Sequence, residues 1–182
     1  MRADAKKNYD QILGVARDLL ATGGADASLR DVARTAGVGL GTMYRHFRTR
    51  EALLEALLRT SFDRLGIRAG ELERTGSSDA ALVAWLREVI ALAHRYSGAI
   101  RSMVAAIEDE DSALHASCVA MKDAGTRLLL RAQAEGTVRS DLDGADLFAL
   151  VGALAWVTDQ PVLTQRSDHI FMIITDAILA KP

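Results

Sequence analysis

The stretch SLRDVARTAGVGLGTMYRHF, Ser28 to Phe47, holds two short apolar-patterned runs separated by glycine. Ser28 can cap the first run, and Asp31 three residues later allows a reciprocal capping box. Leu29, Val32, Ala33 and Ala36 recur at helical spacing, while Arg30 and Arg34, one turn apart, point together to the outside. Gly37 stands where a helix end needs a left-handed residue. Placed on a helix at about 100° per residue, Leu40, Met43 and Phe47 share one sector with Tyr44 at its rim. Thr42, Arg45 and His46 take the opposite sector, with Gly41 beside them. Two short helices joined by a tight glycine turn, the second basic on its outer side, describe a helix-turn-helix.

The residue types suit duplex DNA. The major groove admits one helix, whose first residues meet base edges. Arg45 can pair with guanine in bidentate fashion, and Thr42 can meet several bases. Tyr44 and His46 suit phosphate oxygens, which fix register without reading sequence. Gly39 and Gly41 let the helix start approach closely, and Arg50 adds a cation beside the positive end of the next helix. The expected DNA-facing set is therefore Ser28, Arg30, Gly39, Leu40, Gly41, Thr42, Tyr44, Arg45, His46 and Arg50. Charge agrees: residues 1–50 hold nine Lys and Arg against five Asp, a balance of +4, and residues 51–182 balance at −6.

Outward from this stretch the chain of 182 residues reads as all-α. Hydrophobic residues at 49% and charged residues at 25% are those of a globular protein. No sustained alternation marks a strand, and only Pro161 and Pro182 interrupt the backbone. About nine helices are expected. Ile12, Leu13, Ala16, Leu19 and Leu20 mark the first, which ends at the glycines of TGGAD (residues 22–26). A fourth runs from near Thr49 to about Glu73 and ends before RTGSSD, where Ser77 or Ser78 can cap the next. The remainder are expected near 79–96, 98–108, 111–135, 144–159 and 167–180. Residues 1–48 form a three-helix DNA-binding domain in this reading, and 49–182 a larger helical domain.

The longest apolar run, FALVGALAWV (Phe148 to Val157), is about half of a membrane span, and no apolar stretch of signal-peptide length follows the first ten residues. The lone Cys118 forms no internal disulfide, which fits a reducing, cytoplasmic setting. Glu108 to Asp111 read as a solvated corner rather than a metal site. Phe148–Val157 and Ile170–Ile174 are apolar all round, so each is expected to be covered on two sides. One cover is the domain's own core. The other is a second copy of the chain, contacting Leu147, Leu150, Val151, Leu154, Val157, Ile170, Phe171, Ile174 and Ile178, or else more of the same chain in a monomer. Gly152, Ala153 and Ala155 would admit a helix closely.

Ser28 to Leu54, SLRDVARTAGVGLGTMYRHFRTREALL, resembles the DNA-binding segment of the TetR family of bacterial transcriptional regulators. The resemblance is strong over about residues 8–58. It implies phosphate contacts from Tyr44 and His46, and from Arg50 where lysine is more usual. Gly39 replaces the frequent capping Ser or Thr, and Leu40 a frequent polar residue. The resemblance further implies dimerisation through a four-helix bundle and a small-molecule effector bound between about residues 79 and 135. Candidate lining residues are Trp85, Val89, Met103, Ile107, Cys118, Met121, Phe148 and Trp156, with His94 and Arg101 adding polarity; the same residues at helical spacing could equally be core. The implied function is a repressor released from a pseudo-palindromic operator by its effector. A helical module that binds protein instead of DNA is the alternative. An enzyme is not expected, since no catalytic set, metal-ligand spacing or cofactor motif is present.

Overall fold

The computed structural model describes residues 2–21 and 28–180. The first four helices are α1 (Arg2–Ala21), α2 (Leu29–Thr35), α3 (Leu40–His46) and α4 (Arg50–Leu72). They are followed by α5 (Ser78–Arg95), α6 (Ser97–Ser102), α7 (Val104–Glu108) and α8 (Ala113–Ala134). The last two are α9 (Gly144–Asp159) and α10 (Ser167–Ile178), with a 3-10 turn at Thr164–Arg166 between them. Among the described residues there is no strand, only an isolated antiparallel bridge between Val138 and Leu179. Residues 22–26, where the first helix was expected to end, lie outside the described residues.

Among the described residues there are ten α-helices where about nine were expected, because the segment read as one helix over 98–108 is two. Ser102 Oγ donates to the Ala99 carbonyl at 2.9 Å beside the Met103 N–H, and the helix breaks at Met103, whose backbone leaves helical geometry (φ −109°, ψ 10°). Elsewhere the ends have local causes. Thr49 Oγ1 accepts the Ala52 N–H and opens α4. Asp143 and Asp146 form a capping box that opens α9. Gly136, at φ +71°, closes α8, with the Thr137 N–H reaching back to the Ala132 carbonyl.

The chain forms two compact units, Met1–Thr60 with Gly98–His115, and Ser61–Ser97 with Ala116–Pro182. The first half of α4, α6 from Gly98 onward and all of α7 fall in the first unit. In the first unit Ile12, Ala16, Val32, Ala33, Met43 and Phe47 are buried on the inner faces of α1 to α3. In the second, Trp85 is fully buried and its Nε1 donates to the Leu65 carbonyl at 2.9 Å. A Cβ on Gly125 would lie 2.3 Å from the Trp85 ring, so only glycine lets α8 come this close to α5.

Candidate functional site

The turn that separates α2 from α3 is built from backbone bonds. Gly37 has φ +64°, which glycine adopts without the cost a Cβ brings. The Val38 N–H donates to the Ala33 carbonyl and the Gly37 N–H to the Arg34 carbonyl, the paired bonds of a Schellman motif. At the other end of α2, Ser28 Oγ donates to Asp31 Oδ2 at 2.6 Å and accepts the Asp31 N–H at 3.2 Å. The Ser28 hydroxyl, and then its backbone N–H, hold the Asp31 carboxyl below its ordinary range. The Ser28 N–H also donates to Asp31. Both Ser28 donors are thus spent inside the cap. Ser28 caps α2, as expected from its spacing to Asp31, and stays exposed.

Gly39 occupies the cap position of α3 with no side-chain bond, and its carbonyl accepts from Thr42 and Met43. The seven residues of α3 then divide by face. Met43 and Phe47 turn inward, at 0% and 2% exposure. Leu40, Gly41, Tyr44 and Arg45 are exposed, and Thr42 and His46 half-buried. Arg30 and Arg48 are exposed, and Arg50 is half-buried in the first turn of α4. Arg34 pairs with Asp31 at 2.9 Å across an exposed turn, a bond of little energetic weight.

Two residues of α1 went unrecognised in the sequence. Gln11 Nε2 donates to the Ala36 carbonyl at 2.7 Å, holding α1 to the end of α2. The Tyr9 ring stacks on Phe47 at 5.2 Å and meets His46 edge-on at 5.9 Å. His46 therefore leans on α1 rather than standing fully outward with Arg45. Only the mixed character of a Tyr and a Gln one turn ahead of the apolar stripe hinted at this.

In the second unit the expected partner surface is corrected. Leu147, Val151, Leu154, Phe171 and Ile178 are buried in the chain's own core, so no second molecule can cover them. Leu150, Val157, Ile170 and Ile174 are half-buried. The outward face of α9 carries Ala149, Gly152, Ala153 and Trp156, and that of α10 carries Met172 and Ile173. Trp156 is 62% exposed, Ile173 53%, and Val162 between the helices 88%. Over Phe148–Val157 α9 is apolar all round, so its sequence does not say which side faces in; α10 does carry polar residues, Asp168, His169 and Asp176, on its exposed side.

The ten expected effector-lining residues divide between the two units. Trp85, Val89 and Cys118 are core, and burial pushes the Cys118 thiol up. Phe148 packs edge-on against Trp85 at 6.0 Å. His94 Nδ1 bonds Asp159 at 2.8 Å on the surface, and Trp156 faces outward. Arg101, Met103 and Ile107 belong to the first unit. Met121 borders a groove of about 500 Å³ between α4 and α8. Phe62, Gly66, Ile67, Ala120 and Ala124 give it an apolar lining, and Ser117, Asp63, Asp123 and Arg127 a polar one.

Residues 12–57 match the family model for bacterial regulatory proteins of the tetR family, and residues 77–178 match the C-terminal domain model of SbtR-like transcriptional regulators. The crystal structure of the TetR transcriptional regulator SCO0520 from Streptomyces coelicolor superposes with a TM-score of 0.76 at 33% identity, covering 96% of this chain and 99% of that one. The HTH-type transcriptional repressor KstR2 of Rhodococcus jostii is 27% identical over 157 residues, 81% of this chain and 76% of that protein. The HTH-type regulator SAR0097 of Staphylococcus aureus is 37% identical over 68 residues, 36% of each chain, so the match spans about a third of that relative's length.

Proposed function

The chain belongs to the TetR family of bacterial transcriptional regulators, and from that premise we propose that it is a homodimeric repressor released from its operator by a small molecule. The observation that carries the DNA-reading part is the division of α3. Buried Met43 and Phe47 anchor it, while Arg45, Tyr44 and the flanking Arg48 stand outside. Arg45 and Thr42 read base edges, and Tyr44, His46, Arg50 and Arg30 hold phosphates. The likeness to a named repressor supports the sign of regulation. Binding to chromosomal DNA would place the protein in the cytoplasm; among the described residues no helix is long and apolar enough to cross a membrane.

Two copies pair through the outward faces of α9 and α10. Trp156 is the aromatic anchor, and the Gly152 and Ala153 surface lets the partner helix approach. Paired recognition helices then address half-sites about one helical turn apart. The effector enters the groove between α4 and α8, whose volume lies in the range of small-molecule sites. Helix α4 carries both Arg50 and the groove residues Phe62 to Ile67, so one element serves both tasks.

Selection of bound fragments from a genomic library by the purified chain tests the reading. Enriched inverted repeats are expected; a pool no different from the input would reject it. An effector found among the products of neighbouring genes should weaken DNA binding, and DNA should weaken effector binding by the same factor, about 5–150-fold.

A further inference from the structure

We infer that Tyr9 of α1 is a positioning residue for DNA binding that acts through His46. The inference rests on the DNA-reading role of α3 proposed above. His46 is the last residue of a seven-residue helix, and at Phe47 the backbone leaves helical geometry (φ −134°, ψ 104°). The start of α3 has no side-chain cap. What holds its far end is a cluster of three rings: Tyr9 on Phe47 at 5.2 Å, Tyr9 against His46 at 5.9 Å, and His46 beside Phe47 at 6.3 Å.

Tyr9 is not required to fill the inner face of α1. Ile12, Leu13 and Ala16 do that and are buried. One turn nearer the N-terminus, Tyr9 is only half-buried, and its ring meets the edge of α3 instead. The Gln11 bond to the Ala36 carbonyl fixes α1 against the end of α2, so the ring arrives in register. An imidazole with a ring on one side has fewer rotamers than one in water. Its ordering is then met when the chain folds and not when DNA arrives, which tightens binding without adding a contact to DNA.

The test is a double-mutant cycle on a duplex selected by the wild-type chain, with affinity read by anisotropy. Tyr9→Ala should weaken binding by about two- to tenfold, the range of one aromatic pair. Tyr9→Phe, which keeps the ring, should stay within about twofold of wild type by the same reckoning. Where His46 is already alanine, Tyr9→Ala should add almost nothing, because its route to DNA is gone. Losses that add across the pair, or a Tyr9→Phe as weak as Tyr9→Ala, overturn the inference. So does a His46→Ala that binds as tightly as wild type, which leaves the regulator reading standing; a wild-type chain that selects no duplex sinks both. If Tyr9→Ala is unfolded by circular dichroism, Tyr9→Leu serves, keeping an apolar cover on Phe47 without a ring edge for His46.

Discussion

The helix pair α2–α3 and the helix pair α9–α10 solve opposite problems. In α2–α3 every position is committed: a cap, a glycine turn, a buried row of Val32, Ala33, Met43 and Phe47, and a polar row outside. In α9 both rows from Phe148 to Val157 are apolar and what separates them is size and cover, while the outer row of α10 mixes Met172 and Ile173 with Asp168, His169 and Asp176. Leu147, Val151, Leu154 and Phe171 are inside, while Gly152, Ala153, Trp156 and Ile173 are outside. A polar outer row suits a hydrated, charged ligand. An apolar outer row of small residues around one tryptophan suits a second protein surface, where buried aromatics carry most of the binding energy.

The sharpest way to break this contrast is to alter both rows of α9. Leu154→Ala should cost about 2–5 kcal/mol of stability through the cavity it leaves, seen as a lower midpoint in urea. Trp156→Ala should leave the folded single chain nearly as stable but weaken self-association by about 2 kcal/mol or more, seen by sedimentation across a dilution series. If the two variants behave alike, the assignment of inner and outer rows is wrong. Next in size, Gly125→Ala should cost about 1–3 kcal/mol, since its new methyl meets the Trp85 ring and that ring is held by its bond to Leu65; a midpoint equal to wild type would contradict the close approach.

On the α2–α3 side, Arg45→Ala should weaken the preferred duplex by about 1–3 kcal/mol and flatten base preference at one position, measured on a panel of single-base variants. The smallest effect is at the cap. Ser28→Ala should cost about 1 kcal/mol. Because folding lowers the Asp31 pKa from its ordinary 3.8, the stabilisation is present above that value and is lost as pH falls through the lower, folded value. Urea midpoints from neutral to strongly acidic pH should show this decline in wild type and less of it in Ser28→Ala.

The two pairs also differ in how far the sequence revealed them. Ser28, Asp31 and Gly37 act on neighbours within a few residues, so their roles in α2 and its turn were legible from spacing alone. The helix over Gly144–Asp159 was placed with the right bounds, Pro161 following its end. What could not be read depends on contacts across the chain. Tyr9 meets a helix far from it in sequence, and Gly125 exists for a ring on another helix. The groove between α4 and α8 is likewise formed only when two distant segments align, and none of its residues except Met121 had been singled out. Within α9 the helix was legible from its length and apolar run but not which side faces in, because every row from Phe148 to Val157 was apolar.

The dependence of DNA affinity on salt, measured for the wild-type chain on its selected duplex, tests most directly whether the basic segment from α2 to the start of α4 meets phosphates. Each phosphate neutralised contributes a slope of about −0.9 in log affinity against log salt. The cations placed on phosphates, Arg30 and Arg50 in each copy, give the fall, made shallower by Arg50→Ala, while Tyr44→Phe should lower affinity and leave the slope unchanged. A flat response, or an affinity no different for a protein partner and for DNA, would contradict a DNA-reading α3 and favour a helical module that binds protein.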